Sequence, residues 1–83
     1  MSDKPKYDSD QVAHALKVGR AKARMDQQAL ADAAGISKDS VARYETGLNT
    51  PRLDTAFDMA VALGISLDEL AGLPAPGLRG EAE

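Results

Sequence analysis

Lys38, Asp39 and Arg43 fall between positions 38 and 43, and each carries a side chain that matches the edge of a base pair. An ammonium or a guanidinium can donate to guanine O6 and N7 in the major groove of DNA. A carboxylate can accept from cytosine N4. The three can act together only if a helix presents them on one side, so the elements around them decide the matter.

Other chemistry finds little in the chain. His14 is the single histidine, set among alanines, and reads as a surface residue rather than a base. Cysteine is absent, which excludes a disulfide framework and a thiolate metal site. No nucleophile elbow or phosphate loop accompanies the serines and aspartates. Asp68 and Glu69 are explained by helix capping, and no spaced ligand set surrounds them. Neither an enzyme nor a bound metal or cofactor is expected.

The positioning elements can be read from caps and apolar spacing. Asp8 and Gln11 stand at capping-box spacing ahead of Val12, Leu16 and Ala23, with Ala13 and Ala15 between, which predicts a first helix from about Ser9 to Arg24. Gly19 inside it would cost about 1 kcal/mol relative to alanine if exposed. Asp26 can cap a second helix with Leu30, Ala31 and Ala34 inward, and Gly35 suits the left-handed residue that ends it. Ser37 then caps a third helix, with Val41 and Tyr44 inward and Gly47 as its stop. Thr50 and Pro51 read as a connector. Leu53, Phe57, Ala60 and Leu63 predict the inward face of a fourth helix ended by Gly64. Ser66 and Glu69 form a capping box for a short fifth helix containing Leu67 and Leu70. No strand pattern or repeat interrupts this order, so the predicted fold is all-α. Residues 1–8 are expected to form a loose arm, 9–72 the folded domain, and 73–83, with two prolines and two glycines, a disordered tail.

Two short helices joined by Gly35, Ile36 and Ser37 meet at a steep angle, because the glycine permits a reversal that a side chain would obstruct. Ala31 lies where the third helix crosses, Ile36 plugs the joint, and Val41 and Tyr44 return that helix to the core. Lys38, Asp39, Ala42 and Arg43 are left on the outer face.

Charge is compatible with this reading. The 83-residue chain carries a net charge of -3, with 43% hydrophobic and 28% charged residues, as in an ordinary soluble domain. Its basic residues are unevenly placed, though. Lys17, Arg20, Lys22, Arg24, Lys38, Arg43 and Arg52 outnumber Asp26, Asp32, Asp39 and Glu45, whereas Arg79 alone faces six acids from Leu53 onward. Local potential, rather than the total, governs phosphate contact. No apolar run is long enough to span a membrane. The polar N-terminus has no signal core, so a cytoplasmic address is expected.

With these residues in place, the sequence resembles the phage repressor and Cro type of helix-turn-helix protein, the xenobiotic-response-element group of small bacterial regulators. The likeness runs from about Val12 to Leu70 through "QQALADAAGIS", "YETG", "TPRLDTAFDMAVALGIS" and "LDEL". It implies a compact five-helix lambda-repressor-like domain whose second and third helices form the DNA-binding motif. The partner it implies is double-stranded DNA in a bacterial or phage cytoplasm, at the nucleoid, bound by a homodimer on a palindromic operator. By position, Gln27, Ser37, Ser40, Thr46, Asn49 and Arg52 correspond to contacts with the sugar-phosphate backbone. Lys38, Asp39 and Arg43 correspond to the base-facing start of the third helix. Lys38 could serve a guanine or a phosphate. Asp39 could accept from cytosine, favour the helix N-terminus, or hold Arg43 at i+4. Arg20 and Glu45 match a paired arginine and glutamate that ties the first helix to the third and can offer the arginine to a phosphate. Leu67, Leu70 and Leu73 could meet a second protomer or simply close the monomer core. Gly19, where relatives often have leucine, suggests looser packing of the first helix, and Arg52 stands where a capping serine or aspartate is common.

The expected function is a sequence-specific transcriptional regulator, a repressor by resemblance. The alternative is a protein-interaction module, an antitoxin or adaptor that uses the same fold to hold a partner protein.

Overall fold

The computed structural model describes residues 6–73, and among them five helices and no strand. They are α1 (Ser9–Ala23), α2 (Gln27–Ala34), α3 (Lys38–Glu45), α4 (Leu53–Leu63) and α5 (Leu67–Ala71). The expected tail beyond Leu73 and residues 1–5 of the expected arm lie outside the described residues. No helix among those described is long and apolar enough to cross a membrane.

The caps fix the helix starts. Asp8 accepts from the Asp10 amide at 2.9 Å, Asp26 from Ala29 at 2.8 Å, Ser37 from Ser40 at 3.0 Å and Ser66 from Glu69 at 3.0 Å. Each satisfies an amide that the first turn leaves without a partner. Arg52 begins α4 with no side-chain cap bond. At the other end of α1, Arg24 rather than Ala23 leaves the helix, with φ +58. The helix is one residue shorter than the predicted Ser9 to Arg24 as a result, and a non-glycine residue holds the left-handed conformation.

Val12, Leu16, Leu30, Ala31, Ala34, Val41, Met59, Ala60, Leu63 and Leu70 form one core. α2 packs on α3 and α4, and α1 packs on α3 and α5. Ile36 and Tyr44 pack against this cluster as expected. Three inward assignments do not hold: Ala23 is exposed, and Leu53 and Phe57 are 75% and 56% exposed. The inward stripe of α4 is instead half-buried Ala56 with buried Met59, Ala60 and Leu63, the i, i+3, i+4, i+7 pattern of one helix face. Small side chains at 56 and 60 let α4 approach the buried alanines of α2, which bulkier residues would hold away.

Gly19 is likewise not a weak point exposed to solvent. It is buried, and a β-carbon there would lie 3.0 Å from Leu63 Cδ1. The glycine lets α1 and the end of α4 come into close contact, so the expectation of looser packing is corrected.

Candidate nucleic-acid interface

The joint between α2 and α3 is built on backbone conformation. Gly35 adopts φ +73, and the Ile36 amide donates to the Ala31 carbonyl at 3.0 Å, closing the end of α2. A β-carbon at Gly35 would meet nothing within 4 Å. The dihedral angle, rather than crowding, is what requires glycine. Ala31, fully buried, lies beneath the crossing.

α3 leaves this joint with one face held to the core by Val41, Tyr44 and Glu45, and the other open. Lys38, Asp39 and Arg43 are exposed together on the open face, with Ala42 half-buried beside them. Lys38 has no hydrogen-bond or ionic partner among the described residues. Arg43 Nε donates to Asp39 Oδ2 at 2.8 Å, one helical turn back. The remaining four N–H donors of that guanidinium have no partner among the described residues.

Several side chains expected at the sugar-phosphate backbone already have internal bonds. The Ser37 and Ser40 hydroxyls bond each other at 2.9 Å, which uses one of their two protons and leaves the other to donate outward. Thr46 Oγ1 donates to the Arg43 carbonyl at 2.9 Å, so its hydroxyl proton closes the end of α3. Arg52 Nη2 reaches Asp54 at 3.1 Å in an open surface pair. Asn49 is exposed and carries no internal bond among the described residues. Arg43 and Arg52 are thus each partnered by an aspartate, while Lys38 has no acidic partner among the described residues.

Behind the face lies a polar cluster. Arg20 grips Glu45 with Nε and, at 2.9 Å, with Nη2, while its Nη1 donates to the Met25 carbonyl at 3.0 Å. Gln27 Nε2 donates to Glu45 Oε1 at 3.0 Å. Glu45 is 5% exposed, so the pair is buried at its acidic end. Burial pushes the Glu45 carboxyl up, but the bonds from Arg20 and Gln27 and the charges of Arg20 and Lys17 outweigh it and hold the group below the usual glutamate range. The bond to Glu45 raises Arg20 above the ordinary arginine value. The shared oxygen also fixes which way the Gln27 amide points, at the first position of α2.

Two members of this region have no clear signal in the sequence. The Met25 carbonyl enters only because α1 stops at Ala23 and Arg24 turns the chain back. Tyr7 Oη donates to Thr50 Oγ1 at 3.2 Å, tying the chain before α1 to the loop that holds Asn49 and Arg52. Away from α3, Leu70 is 2% exposed and belongs to the monomer core, and it also lines the groove that Leu67 and Leu73 border. Leu67 and Leu73 are half-buried and, with Leu53 and Tyr7, line an apolar groove of about 360 Å³.

A family model described as helix-turn-helix matches residues 11–70. The cryptic phage CTXphi transcriptional repressor RstR of Vibrio cholerae serotype O1 is 44% identical over 46 residues, covering 55% of this chain. The match covers 41% of that repressor's length. Among solved structures, the restriction-modification controller protein C.AhdI from Aeromonas hydrophila is similar at TM-score 0.71 and 26% identity, over 75% of this chain and 94% of that one. The P22 c2 repressor, solved in complex with the synthetic operator 9T, is similar in fold at TM-score 0.68 and 24% identity, over 71% of this chain and 89% of its own.

Proposed function

The chain belongs to the helix-turn-helix family of the phage repressor and Cro type, and from that membership we propose that it is a sequence-specific DNA-binding transcriptional regulator, acting as a repressor. The observation that carries the reading is the division of α3 into two faces. Val41, Tyr44 and Glu45 are held inward, while Lys38, Asp39 and Arg43 stand exposed together. In phage repressors the second helix of the motif lies in the major groove and its first residues reach base edges. Placed that way, α3 brings Arg43 and Lys38 to the bases, with Asp39 between them. Gln27, Ser37, Ser40, Asn49 and Arg52 flank them at the sugar-phosphate backbone, where contacts set register without reading sequence. Arg20 has two of its five N–H donors left for a phosphate, whereas the hydroxyl and the backbone N–H of Thr46 both donate to the Arg43 carbonyl, and its hydroxyl must turn away from that bond to reach one.

A single α3 reads too few base pairs for a specific site, so the protein acts as a homodimer on a palindrome, with half-sites about one helical turn apart. Leu67 and Leu73, with neighbouring Leu53, supply the apolar contact between protomers. Its place of action is the nucleoid in the cytoplasm, and binding rather than catalysis is its activity.

Selection of the purified protein on random DNA duplexes at about 0.1 M salt, which limits nonspecific phosphate binding, tests the reading. A two-fold symmetric site with half-sites about 10 base pairs apart is expected. If folded protein at micromolar concentration enriches nothing, the motif is a scaffold and a protein partner becomes the reading to pursue.

A further inference from the structure

Arg43 and Asp39 are both exposed, yet they are joined within the free protein, and the atoms used are informative. Asp39 takes the Nε–H of Arg43 at 2.8 Å and leaves both terminal nitrogens open. Those terminal nitrogens form a donor fork that can span guanine O6 and N7. Asp39 itself sits in the first turn of α3, where the helix dipole favours a carboxylate. It is a short acceptor with few rotamers of its own, one turn from a long, rotatable side chain. No other side chain among the described residues bonds the Arg43 guanidinium.

We propose that Asp39 is a positioning residue that orients the Arg43 fork toward one guanine and reduces its attraction for phosphates. This rests on the DNA-binding reading above. Two effects of opposite sign follow. Holding the arginine in one rotamer before binding removes part of the ordering cost of a specific contact. Neutralising its charge weakens binding to any duplex, since nonspecific affinity scales with the phosphates that are neutralised. Asp39 thus trades general affinity for discrimination. A carboxylate that served only the helix N-terminus would change binding to all sequences alike.

The test uses the full chain and the duplex enriched by selection. A second duplex carries a substitution at the base pair whose preference Arg43→Ala abolishes. Equilibrium binding by fluorescence anisotropy gives the ratio of the two affinities. In Asp39→Ala this ratio is expected to fall about 2- to 10-fold, as one freed rotamer-rich side chain implies. Affinity for a random duplex should rise at the same time. Asp39→Asn keeps an acceptor for Nε and should retain most of the ratio. In an Arg43→Ala background, Asp39→Ala should leave the ratio unchanged. If Asp39→Ala alone leaves it within twofold, or if Arg43→Ala relaxes no position, the positioning role is overturned while the regulator reading stands. If no duplex is enriched, both fall.

Discussion

Arg20 and Glu45, twenty-five positions apart, meet in a two-pronged ion pair whose acidic side chain is 4% exposed and whose basic one is 20% exposed. The pair joins α1 to the last residue of α3. Through the bond from Gln27 to the same carboxylate, it also reaches the first residue of α2. One buried glutamate therefore sets the relation between both helices of the motif and the helix behind them. The α3 face can be presented at a fixed angle because this cluster, together with Val41, leaves the helix little freedom to roll.

Glu45→Ala is expected to destabilise the fold by about 3–5 kcal/mol, because it strands a partly buried guanidinium and the Gln27 amide. Urea unfolding at pH 7 measures it. A loss under about 1 kcal/mol would put the pair in the class of surface ion pairs and remove it as the anchor of α3.

Because the folded protein holds Glu45 below the ordinary glutamate value of 4.5, its contribution to stability is complete above about pH 4.5. That contribution is lost as the pH falls through the depressed folded value. The gap in unfolding free energy between wild type and Glu45→Gln should accordingly be widest near pH 7 and narrow as the pH is lowered toward 3. A gap independent of pH would mean that the carboxylate charge contributes nothing.

The joint of the motif was legible in the sequence because its requirements are local. Asp26 and Ser37 cap, Gly35 turns, and Leu30, Ala31, Ala34 and Val41 fall at the spacing of one inward helix face. The inward face of α4 was less legible, since that helix carries two apolar stripes. Leu53, Phe57 and Val61 form the bulkier one, and only the close approach of α2 selects Ala56, Met59, Ala60 and Leu63. The same long-range cause hid the role of Gly19, whose neighbour Leu63 is 44 positions away. At the interface, residue types indicated which side chains could reach DNA. Whether a hydroxyl or a guanidinium already has an internal bond depends on rotamers, and spacing does not specify those.

Exposure distinguishes the two stripes of α4. Met59→Ala should cost about 2–5 kcal/mol, as deletion of a fully buried side chain does. Phe57→Ser should change the stability of the monomer by no more than about 0.5 kcal/mol. Thermal melts of the two variants side by side would reverse the assignment if Phe57→Ser proved the more damaging.

Gly19→Leu should destabilise by about 1–3 kcal/mol through overpacking against Leu63, although leucine has far the higher helix propensity. Gly19→Ala is a finer probe. Its β-carbon gains helix propensity but sits 3.0 Å from a methyl group that can shift, so a change within about 1 kcal/mol is expected. A Gly19→Leu variant as stable as wild type would show that α1 and α4 can separate without loss.

Arg43 and Arg52 are both exposed arginines paired with aspartates, and DNA binding should separate them. If Arg43 reads a base, Arg43→Ala relaxes the preference at one position in each half-site and leaves the other positions intact. If Arg52 touches a phosphate, Arg52→Gln weakens binding to every sequence by a similar factor. It should also lower the steepness of the affinity against log salt by about 0.9 per protomer. Both readouts come from one set of titrations at several salt concentrations on the selected site and its single-base variants. A uniform loss from Arg43→Ala, with a reduced salt slope, would move that residue to the backbone and leave Lys38 as the reader of the groove.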